Sequence, residues 1–139
     1  MHKMLGIVGS LRTKSLNRAL LVAAQHLAPD DVTITIAQID DVPLYNEEHD
    51  IPHVTDVHAA VVRLRQQIQE ADSLLIATPE YNHSFPGALK NALDWASRPS
   101  GKSVLAGKAV AVIGGGGGSG GIRAQVHLRQ TLSGSGMYV

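Results

Sequence analysis

The chain has no cysteine among its 139 residues. That excludes disulfide stapling, thiol catalysis and cysteine-ligated zinc or iron–sulfur clusters. Aromatic residues are scarce, at 4%, with one Trp, three Tyr and one Phe. Neither sign of charge is in excess, since Lys plus Arg and Asp plus Glu number 12 each. A strongly cationic nucleic-acid binder, whose affinity rests on neutralising phosphates, is therefore not expected. No apolar run approaches the roughly 20 residues that span a bilayer, and Met1-His2-Lys3-Met4 lacks the long apolar stretch of a secretory signal. What is present is 44% hydrophobic and 17% charged, a globular composition and neither a disordered nor a collagen-like one. The length fits one domain, residues 1–139, around one core. A soluble cytoplasmic domain is the expectation.

The charges are unevenly placed. From Asp30 to Asp56 there are eight acids and no base, and after Asp94 there are five bases and no acid. Two differently charged faces, or an oligomer contact, explain this more simply than an anion-steering field.

Hydrophobic periodicity organises the chain. Leu5-Gly6-Ile7-Val8 is a short apolar run ending at Gly9-Ser10, a buried strand meeting a tight turn. Leu16, Ala19, Leu20, Ala23, Ala24 and Leu27 fall at helical spacing behind Ser15, an expected N-cap. Val32 to Ile36 is β-branched throughout and predicts a strand. A polar acidic loop with Pro43 and Pro52 follows. Thr55 is placed to cap a helix reaching about Ala71, with Val57, Val61, Leu64 and Ile68 on one face. Ser73 to Thr78 predicts the third strand, which Pro79 stops. Pro86 suits the first position of a helix reaching about Ser97. Ala109 to Ile113 is a fourth strand, Gly114 to Gly121 is glycine except for Ser119, and Ile122 to Leu132 is again helical. Met137-Tyr138-Val139 looks like the start of a fifth strand.

Alternating apolar strands and amphipathic helices imply an α/β fold with a parallel sheet covered on both faces. Right-handed crossovers leave chiefly the two doubly wound orders. In such sheets ligands bind beyond the carboxyl ends of the strands, where the winding reverses. Gly9 to Asn17, Pro79 to Ser84 and Gly114 to Gly121 all lie at such ends. In the order 2-1-3-4-5 the first two of these flank one crevice.

The first segment opens a helix, whose backbone N–H groups favour an anion such as a phosphate monoester. Ser10, Ser15 and Asn17 are candidate side-chain donors to it, and Arg12 a candidate charged clamp; an ordinary capped turn with a solvated arginine is the plain alternative. The second segment sets Tyr81 and Phe85 between Pro79 and Pro86. Tyr81 is the candidate wall for a flat ligand, unless both rings merely cover the sheet end. The glycine run satisfies G-x-G-x-x-G twice, but no acid follows it to grip a ribose. A loop whose backbone approaches a ring edge fits better than a dinucleotide fold. Gly101-Lys102-Ser103 imitates a phosphate loop, but a helix precedes it and a strand follows, the reverse of that motif. The histidines show no spacing that pairs two on one helical face, so no metal site is expected.

At these residues the sequence resembles the NADPH-dependent FMN reductases, which include bacterial quinone, chromate and azo-dye reductases. The matching stretches are Gly9-Ser10-Leu11-Arg12 with Ser15 and Asn17, and Pro79-Glu80-Tyr81-Asn82 through Ser84. Further on come Pro86-Gly87, Leu89-Lys90-Asn91-Ala92, Asp94-Trp95, Arg123-Ala124-Gln125 and Leu128-Arg129. The resemblance implies a flavodoxin-like fold, order 2-1-3-4-5, that binds FMN, usually as a homodimer or homotetramer. It places Ser10, Arg12, Ser15, Leu16 and Asn17 around the FMN phosphate. Pro79, Glu80, Tyr81 and Asn82, with Ser84, would contact the isoalloxazine and ribityl part. The loop after strand four carries glycine where the family usually has a flavin-contacting serine, and it is shorter by one residue. Gly115, Gly116 and Ser119 are the corresponding candidates. The chain stops where strand five begins, so either a truncated sequence or a shortened protein with an exposed fourth strand is expected.

The implied activity is transfer of electrons from NADPH or NADH through FMN to a quinone, free flavin or similar small acceptor. The flavin does the redox chemistry, so no catalytic side chain is named. The alternative is a flavodoxin-like FMN-binding electron carrier or regulatory module without NAD(P)H turnover. Carriers usually present a strongly acidic surface, and the net charge here is zero.

Overall fold

The computed structural model describes residues 1–50 and 57–139. In chain order the elements are β1 (His2–Val8), α1 (Leu16–Leu27), β2 (Val32–Ala37), a single 3-10 turn (Glu47–His49), α2 (Ala59–Glu70), β3 (Ser73–Ala77), α3 (Gly87–Ala96), β4 (Ala109–Ile113) and α4 (Ile122–Gly134). The four strands form one parallel sheet in the order β2-β1-β3-β4. Of the two doubly wound orders that the alternation of elements left open, this is the one the resemblance implies, and the winding reverses between β1 and β3. Met137 to Val139 lie beside β4, where Val110 N–H donates to the Tyr138 carbonyl at 2.8 Å and Tyr138 N–H to that of Lys108 at 3.0 Å.

Strand pleating divides the core in two. Leu5 and Ile7 of β1, Leu74 and Ile76 of β3, and Val110 and Val112 of β4 face the same side. They meet Leu64 and Ile68 of α2, Leu89 and Leu93 of α3, and Leu128 and Leu132 of α4. Each fully buried leucine contributes about 1.5–3 kcal/mol, so this face carries most of the hydrophobic stabilisation. The opposite core is smaller: Val8, Leu75 and Ala77 pack under Leu21 of α1. There α1 comes close to the sheet. A Cβ on Gly6 would stand 3.2 Å from both Leu21 methyls.

The expectation of strands apolar and covered on both faces holds for β3, buried at every residue, but not for β2 and β4, where exposed positions alternate. The short alternating runs of Thr and Ala in those two strands mark half-covered edges.

Element boundaries shift in four places. β1 begins at His2, because polar His2 and Lys3 still pair with Val32 and Thr33 of the neighbouring strand. The described part of α2 starts at Ala59, with His58 Nδ1 accepting from Ala60 N–H at 3.2 Å; Thr55 and Pro52 lie outside the described residues. Pro86 takes the cap position, with extended backbone, and Gly87 opens α3. α4 runs on to Gly134. The Ser15 cap is as expected, its side chain accepting from Arg18 N–H.

Candidate functional site

The turns after β1 and β3 meet. Gly9 N–H donates to the Ala77 carbonyl at 2.8 Å, which carries the contact between the two strands past their ends. A Cβ on Gly9 would lie 3.2 Å from Thr78 Oγ1 and 3.4 Å from Pro79 Cδ, so glycine is what lets the turns approach. Ser10 Oγ and the Tyr81 hydroxyl then stand 3.4 Å apart. Between these turns and the start of α3 lies a cavity of about 400 Å³ lined by Gly9, Leu11, Arg12, Tyr81, Pro86, Gly87 and Ala88. That volume is in the range of small-molecule sites, and the lining contains no acid.

The glycine run is held by residues of other elements. Asn17 is 3% exposed, and its amide grips one residue of that loop twice. Nδ2 donates to the Gly115 carbonyl at 3.2 Å, and Gly115 N–H donates to Oδ1 at 3.0 Å. Gln125 adds a bond from Nε2 to the Gly120 carbonyl at 3.2 Å. A Cβ on Gly114 would sit 2.8 Å from the Thr78 carbonyl oxygen, and one on Gly115 3.1 Å from a Leu20 methyl. These two glycines are therefore packing requirements. Gly116 differs: its φ is +118° and nothing lies within 4 Å of where its Cβ would be. Its backbone is open to a ligand. Ser119 is exposed and its carbonyl accepts from Ile122 N–H at 3.2 Å.

The β3–α3 connection is a tight hairpin. Tyr81 and Ser84 exchange backbone hydrogen bonds of 2.8 and 3.0 Å. Asn82 and His83 between them have φ of +49° and +66°, the paired left-handed geometry of a type I′ turn. The hairpin leaves Tyr81 46% exposed at the cleft. Glu80 turns away instead, toward α4, whose cap residue Gly121 offers no side chain. Its carboxylate accepts from Arg123 N–H at 3.1 Å, Ala124 N–H at 3.4 Å and the Arg123 guanidinium at 3.2 Å. Burial pushes the Glu80 carboxyl up, but these three bonds outweigh it and hold the group below its ordinary value. Glu80 thus locks the third-strand turn to α4.

The sequence-predicted residues therefore divide by what their side chains do. Arg12 and Tyr81 line the crevice and Ser10 meets Tyr81 beside it, while Gly115 is tied to Asn17 and Gly116 is open. At Ser15, Oγ accepts from Arg18 N–H at 3.3 Å and keeps its own O–H to donate, and Asn17 spends one Nδ2 hydrogen on Gly115. These positions still leave a ligand the backbone N–H groups of α1's first turn, which a helix cannot satisfy internally. Leu16 is exposed beside them, Pro79 is half-buried, and Asn82 is in the turn. Ser84 Oγ meets His127 Nδ1 at 3.2 Å. The sequence reading missed Gln125, Thr78 and the wall formed by Gly87 and Ala88. Their position at strand ends or at a helix start was the available signal.

A second network was also missed. Asp50, its side chain 3% exposed, receives Arg65 Nη2 at 2.6 Å and Arg98 Nε at 3.0 Å. Arg65 also donates to the Trp95 carbonyl at 2.9 Å, and its guanidinium lies 5.7 Å from the Trp95 ring centre. Trp95 Nε1 and Asn91 Nδ2 both donate to the Pro43 carbonyl at 2.8 Å. This pins the acidic β2–α2 connection onto α2 and α3.

A parallel sheet wound in this order, with a ligand-sized crevice at its switch point, defines a flavodoxin-like α/β domain. A sequence model of the NADPH-dependent FMN reductases matches residues 2–139. The chain belongs to that family. An NAD(P)H-dependent FMN reductase of Pseudomonas aeruginosa is 50% identical over 131 residues, covering 94% of this chain and 69% of that protein. A 2-hydroxy-1,4-benzoquinone reductase of a Burkholderia species is 49% identical, covering 88% of this chain and 66% of its own length. Among solved structures, the flavoenzyme NAD(P)H:acceptor oxidoreductase FerB of Paracoccus denitrificans superposes with a TM-score of 0.92 at 39% identity, over 99% of this chain and 74% of that one. The chain spans about two-thirds of the length of the curated relatives it matches. By family it is an FMN-dependent oxidoreductase that uses NAD(P)H.

Proposed function

We propose that the crevice between the β1 and β3 turns holds FMN and that the chain passes electrons from NAD(P)H to a quinone or a similar small acceptor. The observation that carries this is the meeting of the two turns, with Ser10 Oγ 3.4 Å from the Tyr81 hydroxyl, beside a ligand-sized cavity lined by Arg12 and Tyr81. The donor set fits the group. Backbone N–H groups of Leu16 and Asn17, with the Arg12 guanidinium, suit a phosphate monoester. The Tyr81 ring suits a flat heterocycle, and the open Gly116 backbone suits its hydrogen-bonding edge. The Glu80 carboxylate is paired with Arg123 on α4.

Bound FMN supplies two-electron chemistry, accepting hydride equivalents from a reduced nicotinamide and giving them to the acceptor. Overall, one NAD(P)H and one proton reduce a quinone to a hydroquinone. The chain's own part is to hold and orient, through a backbone scaffold fixed by Asn17 and Glu80. Relatives named as quinone reductases support the acceptor class. A homodimer or homotetramer belongs to the same reading, supported by Tyr81, Ile122 and Val126 standing exposed beside the cleft; sedimentation velocity checks it.

The test is an anaerobic titration of the FMN-reconstituted chain with NADPH. The oxidised flavin band should bleach and return on adding benzoquinone. Flavin that binds but is not bleached supports the carrier alternative. A chain that retains no flavin refutes the proposal.

A further inference from the structure

The sheet has two edges. β4 is met by the Tyr138 backbone, whereas β2 stands at the other end with no strand beside it among the described residues. Edge strands of soluble proteins are usually blunted by a charge, a proline or a bulge. β2 has none of these: it is Val32-Thr33-Ile34-Thr35-Ile36-Ala37, and its register with β1 runs unbroken from Val32 to Ala37. Parallel pairing uses the backbone of alternate residues. His2 N–H donates to the Asp31 carbonyl at 2.7 Å, so Thr33 and Thr35 also face β1, and Val32, Ile34 and Ile36 turn their backbone groups outward. Val32 N–H is spent on the Pro29 carbonyl at 2.9 Å. Gln25 Nε2 donates to the Ile34 carbonyl at 2.8 Å, in the place of a neighbouring strand. The N–H groups of Ile34 and Ile36 stay open on that edge.

We propose that the β2 edge is a self-association surface, on which two copies of this chain pair antiparallel about a two-fold axis at Ile34, with Gln25 competing for the same carbonyl. The strand is its own complement: Val-Thr-Ile-Thr-Ile alternates a β-branched apolar residue with threonine in either direction. A two-fold contact needs a patch that matches itself. In this register Ile34 meets Ile34, Val32 meets Ile36 and Thr33 meets Thr35, all pairs that suit facing strands. The apolar row lies on the α1 face, where Ile34 and Ile36 already pack on the smaller core. The threonines stand exposed on the α2 face, beside an open groove of about 380 Å³ lined in part by Leu5, Gln67 and Ala71. No like charges are opposed, because Asp31 falls opposite Ala37 and Asp30 opposite Gln38. There is also room. α1 packs across β1, β2 and β3, so the two copies of α1 stand about 14 Å apart, three strand spacings, against the 8–10 Å of packed helices. The surface lies at the far edge of the sheet from β4 and the α4 that packs on it, and it does not depend on the flavin reading.

The lack of cysteine makes the register readable by cross-linking. Thr33→Cys and Thr35→Cys chains are oxidised separately and as an equimolar mixture. Thr33 and Thr35 of facing copies form a non-hydrogen-bonded pair with Cα atoms about 4.5 Å apart, within disulfide reach. Two copies of Thr33 lie on the diagonal, about 7–8 Å apart and beyond it. The mixture should therefore give severalfold more disulfide dimer than either chain alone. In sedimentation velocity, Thr33→Lys with Thr35→Lys sets lysine against lysine and should associate about tenfold more weakly than Thr33→Lys with Thr35→Glu. Both double variants carry the same new charge beside Lys3, so the difference reads the partner copy. Gln25→Ala frees the Ile34 carbonyl and should tighten association about tenfold. No disulfide dimer in the mixture, equal amounts in all three samples, or a Gln25→Ala chain that associates no more tightly would each overturn the pairing. The same samples are run with and without FMN, so a chain that holds no flavin refutes the function reading and leaves this one to be decided by the cross-link.

Discussion

Two connections of similar exposure are fixed in opposite ways. The acidic stretch after β2 adds its own side chains to the bonds it receives from α3: Asp50 binds two arginines, and the Tyr45 ring meets Trp95 edge-on with centres 5.0 Å apart. The glycine run after β4 has almost no side chains to use. Its position is set by residues from elsewhere: Asn17 on α1, Gln125 on α4, and Glu80 through the start of α4. A connection fixed by its own side chains stays put whatever ligand is present. One fixed by borrowed contacts leaves its backbone free to face a ligand, and this is the loop beside the crevice.

That contrast can be broken from either end. The largest effect is expected from Asp50→Ala, which strands two arginines in a shielded site. A loss of about 3 kcal/mol in urea unfolding is expected, with flavin affinity changed less than stability. Gly114→Ala comes next, because its Cβ would lie 2.8 Å from a backbone oxygen. About 2 kcal/mol of destabilisation is expected from that overlap, whereas Gly118→Ala, with nothing within 4 Å, should be nearly silent in the same measurement.

Asn17→Ala sharpens the comparison. Removing both bonds to Gly115 should cost about 1–2 kcal/mol and weaken FMN, read by quenching of flavin fluorescence. Asn17→Asp, which keeps only the acceptor, should fall between the two. If FMN affinity is unchanged while stability drops, the loop's placement does not matter to the ligand and the comparison fails.

The smallest effect concerns pH. Glu80 is held below its ordinary value of 4.5, so its contribution is fully present above that value and disappears as pH falls through the lowered one. The thermal midpoint of the native chain should therefore fall more steeply below about pH 4.5 than that of Glu80→Gln. Parallel curves for the two proteins would show that Glu80 does not lock α4.

Much of this was legible beforehand because it depends on local pattern. The Ser15 cap, the β-branched run at Val32 and the fourth strand at Ala109 need only neighbours a few residues away. The boundaries that moved depend on pairing across the sheet, as with His2 and Lys3, whose polar side chains conceal a paired backbone. For the site, the right segments were visible but not the work of each side chain. Asn17 looks like a ligand donor in sequence because its partner Gly115 is 98 positions away. Glu80 looks like a site acid for the same reason, its partners lying 43 and 44 positions on. The Asp50 network left no trace in local periodicity, since its charges come from a loop and two separate helical segments.

The amino-acid order alone determined the alternation of strands and helices, the parallel sheet and the three turns at the strand ends, because hydrophobic period and capping are properties of short stretches. Tertiary structure decided which of those residues line the crevice and which are bonded in holding the turns together. A side-chain amide or carboxylate has the same chemistry in either role, and only the partner it meets after folding selects between them.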